Sequence, residues 1–240
     1  MRIRTRTRKW QVEVSEQKKG RLTEALEAAA RAGAARLSDE GYRLVREVVA
    51  RQEASGLADE GVQIGENVPD FELPDVSGRI VSLNDLLNDG PAVVVFYRGG
   101  WCPFCELHLR ALHQARPEIE ARGAKLVAIS LEKPDAERSA ARKIAPSFRL
   151  LHDRDGRVAK LFGLLYDVTP QHAKALANYG VDLIRYHGSD TPQLPLAATY
   201  VVGQDGVVTY GFVDVHPEKR AEPDDIIAAL DAMRGGAATA

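Results

Sequence analysis

The sequence predicts an α/β fold preceded by an N-terminal helical extension, and three observations carry that expectation. The first is a pair of apolar, β-branched runs, Ala92 to Tyr97 and Ala124 to Ser130, separated by a helix-like stretch. Runs of this kind mark strands buried on both faces, and strand, helix, strand over this length is a βαβ unit. The second is a hairpin: Thr199 to Val202 and Val207 to Tyr210 flank the Gly-containing turn Gly203-Gln204-Asp205-Gly206. The third is a shift in composition. From about Glu16 to Ala54 the chain is rich in Ala, Glu, Arg, Leu and Lys, and Ser55 to Gly61 then punctuates it. The expected division is a basic arm and helical extension over residues 1–60, followed by the α/β domain over residues 61–240.

The first nine residues alternate basic side chains with Ile and Thr, which suits a solvated terminal arm or an edge strand. Leu22, Leu26, Ala29 and Ala30 draw an apolar stripe on a first helix, with Gly33 near its end. Ser38-Asp39-Glu40 opens a second helix whose stripe is Tyr42, Val45, Val48 and Val49. Both stripes are expected to dock on the main domain or on each other; a homodimer interface is the alternative. Asp70 to Pro74 and Arg79 to Leu83 read as short strands around the turn Asp75 to Gly78, and Asn84 to Leu87 as a short helix.

After Gly99 and Gly100, a helix is expected from Pro103 to about Arg116, packing through Phe104, Leu107, Leu112 and Ala115. A further helix is expected around Asp135 to Ile144. Phe148 to Asp153 reads as extended, Val158 to Phe162 as a helical turn, and Thr169 to Arg185 as an inserted helix and loop. Pro223 to Met233 closes the chain as a helix with proline near its start.

Composition narrows the function. Hydrophobic residues make up 45% of the 240 and charged residues 28%, enough for a sizeable core without disulfide staples. A formal charge of −2 provides no field to attract nucleic acid or an anionic membrane. No apolar run approaches the roughly 20 residues that span a bilayer. The N-terminus has no secretory pattern, so a cytoplasmic location is expected.

Two cysteines, Cys102 and Cys105, are too few for a structural framework. A bridge between them closes a tiny loop, which constrains the unfolded chain least. Chemistry explains the pair better than stability does. It sits where a buried strand gives way to a helix, at the carboxyl end of a sheet strand, where open α/β sheets place their sites. Unpaired N–H groups and the helix dipole favour an anion there, so a thiolate is stabilised. Arg98 either adds positive charge or occupies the surface. Two other readings compete: a metal site with His108 as third ligand, although a closed zinc site needs four, and a pair of inert core thiols. His113, His152, His172, His187 and His216 are scattered and read as surface residues. No phosphate-cradling glycine loop is present, and no cofactor is expected.

Three blocks then resemble a known family. Gly65-Glu66-Asn67-Val68-Pro69-Asp70-Phe71-Glu72-Leu73, Phe96 to Cys105, and Ala198-Thr199-Tyr200-Val201-Val202 look like the alkyl hydroperoxide reductase/thiol-specific antioxidant family, in its peroxiredoxin-like branch with Cys-Pro-Phe/Tyr-Cys. The resemblance covers about residues 45 to 235. It implies a thioredoxin fold, with a central mixed sheet flanked by helices. Counting from Phe96 puts Cys105 at the peroxidatic place and Cys102 where the family has threonine. Arg98 replaces the motif proline, and Ala197 and Ala198 stand where the family's arginine is expected. Counting instead against Trp-Cys-Gly-Pro-Cys of thioredoxins makes Cys102 the nucleophile and Cys105 the resolving thiol.

Three functions follow. One is a thiol-dependent peroxidase reducing hydroperoxides through a dithiol–disulfide cycle, recharged by an external thiol such as a thioredoxin-type protein. A second is a thioredoxin-like disulfide reductase. A third is a non-enzymatic redox sensor or partner-binding protein.

Overall fold

The computed structural model describes residues 20–135 and 147–237. Helix α1 (Arg21–Ala34) and helix α2 (Asp39–Ser55) come first. Ser38 caps α2, its Oγ accepting the Gly41 N–H at 3.2 Å. Strand β1 (Glu72–Pro74) pairs antiparallel with β2 (Ile80–Ser82). Asp75 organises the turn between them, with Oδ1 accepting from the Ser77 N–H, the Ser77 hydroxyl and the Arg79 N–H. Helix α3 (Leu83–Asn88) follows, capped by Ser82. The chain continues through β3 (Ala92–Phe96), α4 (Pro103–Ala121), β4 (Lys125–Ser130), β5 (Arg149–His152) and α5 (Arg157–Leu161). Next are β6 (Leu165–Asp167), α6 (Pro170–Asn178), α7 (Leu183–His187), β7 (Gln193–Pro195), β8 (Ala197–Val202), β9 (Val208–Asp214) and α8 (Pro223–Ala237).

The central sheet has the order β5-β4-β3-β8-β9. β3 is parallel to β4, and β4 to β5, while β8 is antiparallel to both β3 and β9. The sheet is therefore mixed and flanked by helices, as expected. Alternation along β3 separates its two buried faces. Val94 and Phe96 join Ile129, Phe162 and Tyr200 on one side. Val93, Val95 and Tyr97 join the inner face of α4 and Ile226 and Leu230 of α8 on the other.

Three expectations need correction. Helix α4 runs to Ala121 with Pro117 inside it, and its buried face is Cys105, His108, Leu109, Leu112, Ala115 and Ile119. Phe104 and Leu107 are only half-buried, because the helix is rotated to bring the cysteine and histidine inward. The segment read as an inserted helix and loop is two helices bracketed by the antiparallel ribbon β6–β7. These form a small core of their own from Val168, Val181, Leu183 and Leu194. Three-residue strands are too short for alternation to register in a sequence.

The two extension helices differ. Helix α1 packs on α4, burying Leu22 and Leu26. Thr23 ties it to the start of α8, its N–H and hydroxyl both donating to Glu222 Oε1 at 2.6 Å. On α2, by contrast, Tyr42 and Val45 remain exposed. The basic arm and most of the helix expected around Asp135 to Ile144 lie outside the described residues. Among the described residues, no helix is long and apolar enough to cross a membrane.

Candidate functional site

The site begins where β3 ends. Gly99 has φ 153°, and a Cβ there would collide with Trp101 Nε1 and lie 2.9 Å from Glu132 Oε1, so glycine is required on both counts. The turn closes as the Cys102 N–H donates to the Gly99 carbonyl at 3.1 Å. Cys102 is the N-cap of α4 and its carbonyl accepts the Glu106 N–H at 3.0 Å. Pro103 takes the first helical position, where a missing N–H costs nothing. Cys105 therefore falls in the first turn, beside the positive end of the helix dipole.

Both thiols are free and buried. Arg220, in the segment between β9 and α8, donates from Nη2 to Cys105 Sγ across 3.6 Å. Its Nη1 donates to the Lys219 carbonyl at 2.6 Å, which anchors the guanidinium. Arg98 stacks over Trp101, 5.1 Å from the ring centroid, and its charge acts on both sulfurs. Burial pushes the Cys105 thiol up. The hydrogen bond from Cys102, the Arg220 charge, the Arg98 main chain and the Arg98 charge outweigh it and hold Cys105 well below the usual thiol range. Cys102 is pushed well up by its hydrogen bond to Cys105, by burial and by the Cys105 charge, with the two arginines opposing. The two thiols are pushed in opposite directions, so negative charge on the pair is favoured at Cys105 and the shared proton at Cys102.

Arg220 lay beyond the reach of motif reading. It is 115 positions from Cys105, and no local pattern marks it. A positive charge nonetheless reaches the sulfur, from Arg220 in the segment between β9 and α8. Arg98 is likewise turned to the site, not left on the surface.

The histidines divide. His152 and His187 are buried, contrary to the surface expectation, and His187 is held down at about 4 by burial and by His152. His108 is buried behind Cys105, with neither ring nitrogen hydrogen-bonded among the described residues. Burial and the Arg220 charge lower it to about 3, so it stays neutral. No cluster of three or more metal-ligating side chains occurs among the described residues. Glu132, a second group that sequence reading passed over, is buried beside the Gly99–Gly100 loop.

The model of the AhpC/TSA family matches residues 64–211, more than half of the chain. Thiol-disulfide oxidoreductase ResA of Bacillus thuringiensis subsp. konkukian is 24% identical over 108 residues, covering 45% of this chain and 61% of that protein. Peroxiredoxin Bcp of Escherichia coli is 33% identical over 104 residues, covering 43% and 65%. The chain thus spans less than two thirds of the length of either relative. The crystal structure of peroxidoxin BcpB from Mycobacterium tuberculosis superposes with a TM-score of 0.57 at 26% identity, over 70% of this chain and 96% of that one. The fold is that of the peroxiredoxins within the thioredoxin superfamily.

Proposed function

The chain belongs to the AhpC/TSA family, and on that premise we propose that it is a thiol-dependent peroxidase that reduces hydroperoxides with Cys105 as the peroxidatic thiol. One observation carries the assignment. The Arg220 guanidinium donates to Cys105 Sγ and not to Cys102, and this charge helps lower Cys105 while Cys102 is pushed up. The Cys105 sulfur attacks the terminal oxygen of the hydroperoxide. The S–O bond forms, the O–O bond breaks, and an alkoxide departs and is protonated. Cys102 then condenses with the sulfenic acid, forming the disulfide and expelling water. An external thiol, of the thioredoxin or glutathione kind, restores the pair by exchange. Such a cycle needs a reducing pool, which supports a cytoplasmic location.

A second reading is disulfide reduction, favoured by the Cys-x-x-Cys pair and the likeness to ResA. It requires Cys102 as the attacking thiolate, the opposite polarity. Stopped-flow oxidation by hydrogen peroxide, with sulfenic acid trapped by dimedone, separates the two. Fast oxidation is expected to survive in Cys102→Ser, which then stalls as the sulfenic acid, and to vanish in Cys105→Ser. Should wild type react with peroxide no faster than a free thiol while reducing insulin disulfides, the peroxidase assignment fails.

A further inference from the structure

Glu132 is a buried acid that the cycle above leaves unused. It follows β4 at the carboxyl edge of the sheet and is 1% exposed. Its Oε2 accepts the Gly100 N–H at 2.8 Å, and its Oε1 occupies space that a side chain at position 99 would take. Its own N–H donates to Ser130 Oγ at 3.2 Å. Among the described residues no cation acts on its carboxyl; the charge that does is the Cys105 thiolate. A buried carboxylate that feels a buried thiolate and has, among the described residues, a single hydrogen bond and no counter-ion of its own is costly unless one of the two anions is neutralised.

We propose that Glu132 is the redox-linked proton carrier of this site, protonated while Cys105 is a thiolate and releasing its proton as Cys105 loses its charge. The proposal rests on the dithiol reading of Cys102 and Cys105. In the peroxide step the thiolate sulfur takes the hydroxyl oxygen and the O–O electron pair leaves on the alkoxide. The Glu132 proton turns that alkoxide into the alcohol, leaving a sulfenic acid and a carboxylate. Condensation with Cys102 releases water and leaves the carboxylate untouched. An external dithiol then brings two protons: one returns to Cys102 and one to Glu132, while Cys105 regains its negative charge. A single negative charge therefore moves from sulfur to carboxylate and back, and no new charge is created in the interior.

Burial and the Cys105 charge raise Glu132, the Gly100 N–H opposes them, and the outcome is about 7, so the carboxyl is about half protonated at neutrality and holds its proton below it. The other titratable groups around the pair are Cys102, Arg98 and Arg220 at the sulfurs, His108 on α4, and His152, whose ring bonds the Glu132 main chain.

Infrared difference spectroscopy of the full chain tests this. Reduced protein at neutral pH is expected to show a protonated-carboxyl band that disappears when diamide forms the disulfide and is absent in Glu132→Gln. In Cys102→Ser, alkylating Cys105 with iodoacetamide removes the thiolate charge without any redox turnover and should erase the same band. A carboxyl band unchanged by both treatments, or a changing band that persists in Glu132→Gln, overturns the proposal. In kinetics, Glu132→Gln keeps an acceptor for the Gly100 N–H and is expected to lower the peroxide rate constant roughly tenfold or more. It should also lose the decline of that rate as pH rises through the region of 7, and Glu132→Asp should restore part of both. A Glu132→Gln variant with wild-type rate and pH profile also overturns it, leaving the peroxidase assignment intact. If wild type consumes no peroxide, that assignment fails, and the alkylation experiment still decides Glu132.

Discussion

Phe96 ends β3 and Tyr97 follows it; both are buried, on opposite faces of the sheet. On the Phe96 side the filling is aromatic and aliphatic: Phe96 lies 4.9 Å from Phe162 and 6.5 Å from Tyr200, centroid to centroid. On the Tyr97 side, the same depth of burial encloses Cys102, Cys105, His108 and Arg220. Exclusion of water has different consequences on the two faces. Around Phe162 it yields packing enthalpy and little else. Around Cys105 it removes the solvent that would screen the site, so the Cys102 hydrogen bond together with the Arg220 and Arg98 charges can outweigh the cost of burying a sulfur anion. One face is built for stability, and the other spends its low dielectric on tuning a thiol.

The largest expected effect tests whether the faces are independent. Phe162→Ala should cost about 3–5 kcal/mol, read by denaturant unfolding. Any protein that remains folded should keep the thiolate character of Cys105, read from iodoacetamide alkylation rates against pH. A Phe162→Ala protein whose alkylation profile moves would show that the packed face also sets the chemistry.

Next in size is a pH effect confined to the other face. His108 has a folded-state value of about 3 against 6.5 when free. The unfolded chain therefore takes up the proton first as the pH falls. The stability contributed by keeping His108 neutral is complete above 6.5 and is lost progressively toward 3. Unfolding free energy should drop on the order of 3 kcal/mol from this group between the free value of 6.5 and a pH of about 4. His108→Leu should flatten that limb; His172 and His187, both at about 4, leave some slope. An acid limb as steep in His108→Leu as in wild type would mean the ring is not the group responsible.

Arg220→Met comes third. Hydrogen bonds to charged groups contribute about 1.5–3 kcal/mol, so the thiolate should be destabilised about tenfold to a hundredfold. Removing the cation raises the Cys105 thiol, so less thiolate exists at neutral pH and the peroxide rate falls. Raising the pH should recover much of the loss. A variant that is slow at every pH would assign Arg220 to the peroxide oxygens instead of the sulfur.

How far the site could be read from sequence follows the same division. The βαβ unit, the hairpin and the cysteine pair are local patterns, and each was legible. The inward face of α4 was misread because Cys105 and His108 were not counted as core residues, although 105, 108, 109, 112, 115 and 119 form a continuous helical stripe. Counting only strong hydrophobes selected Phe104 and Leu107, about one residue's rotation away. Arg220 and Glu132 were invisible for a different reason. Each arrives by tertiary placement, Arg220 at Cys105 from the far end of the chain and Glu132 at the Gly99–Gly100 loop from just beyond β4, so no spacing within the motif points to either.

The smallest effect returns to the packed face. Tyr200 is fully buried between Phe96 and Phe162, 5.6 Å from the latter, and burial pushes its phenol far up. Its hydroxyl has no hydrogen-bond partner among the described residues. A buried hydroxyl without a partner costs about 1–3 kcal/mol, so Tyr200→Phe should leave stability unchanged or raise it by about 1 kcal/mol, with peroxide kinetics unaltered. The comparable deletion on the opposite face, Arg220→Met, is expected to change reactivity strongly even though Arg220 also carries a nitrogen, Nε, with no partner among the described residues. If Tyr200→Phe instead destabilises the protein by more than about 1 kcal/mol, the hydroxyl has a partner in solution, and the contrast between an inert face and a polar one weakens accordingly.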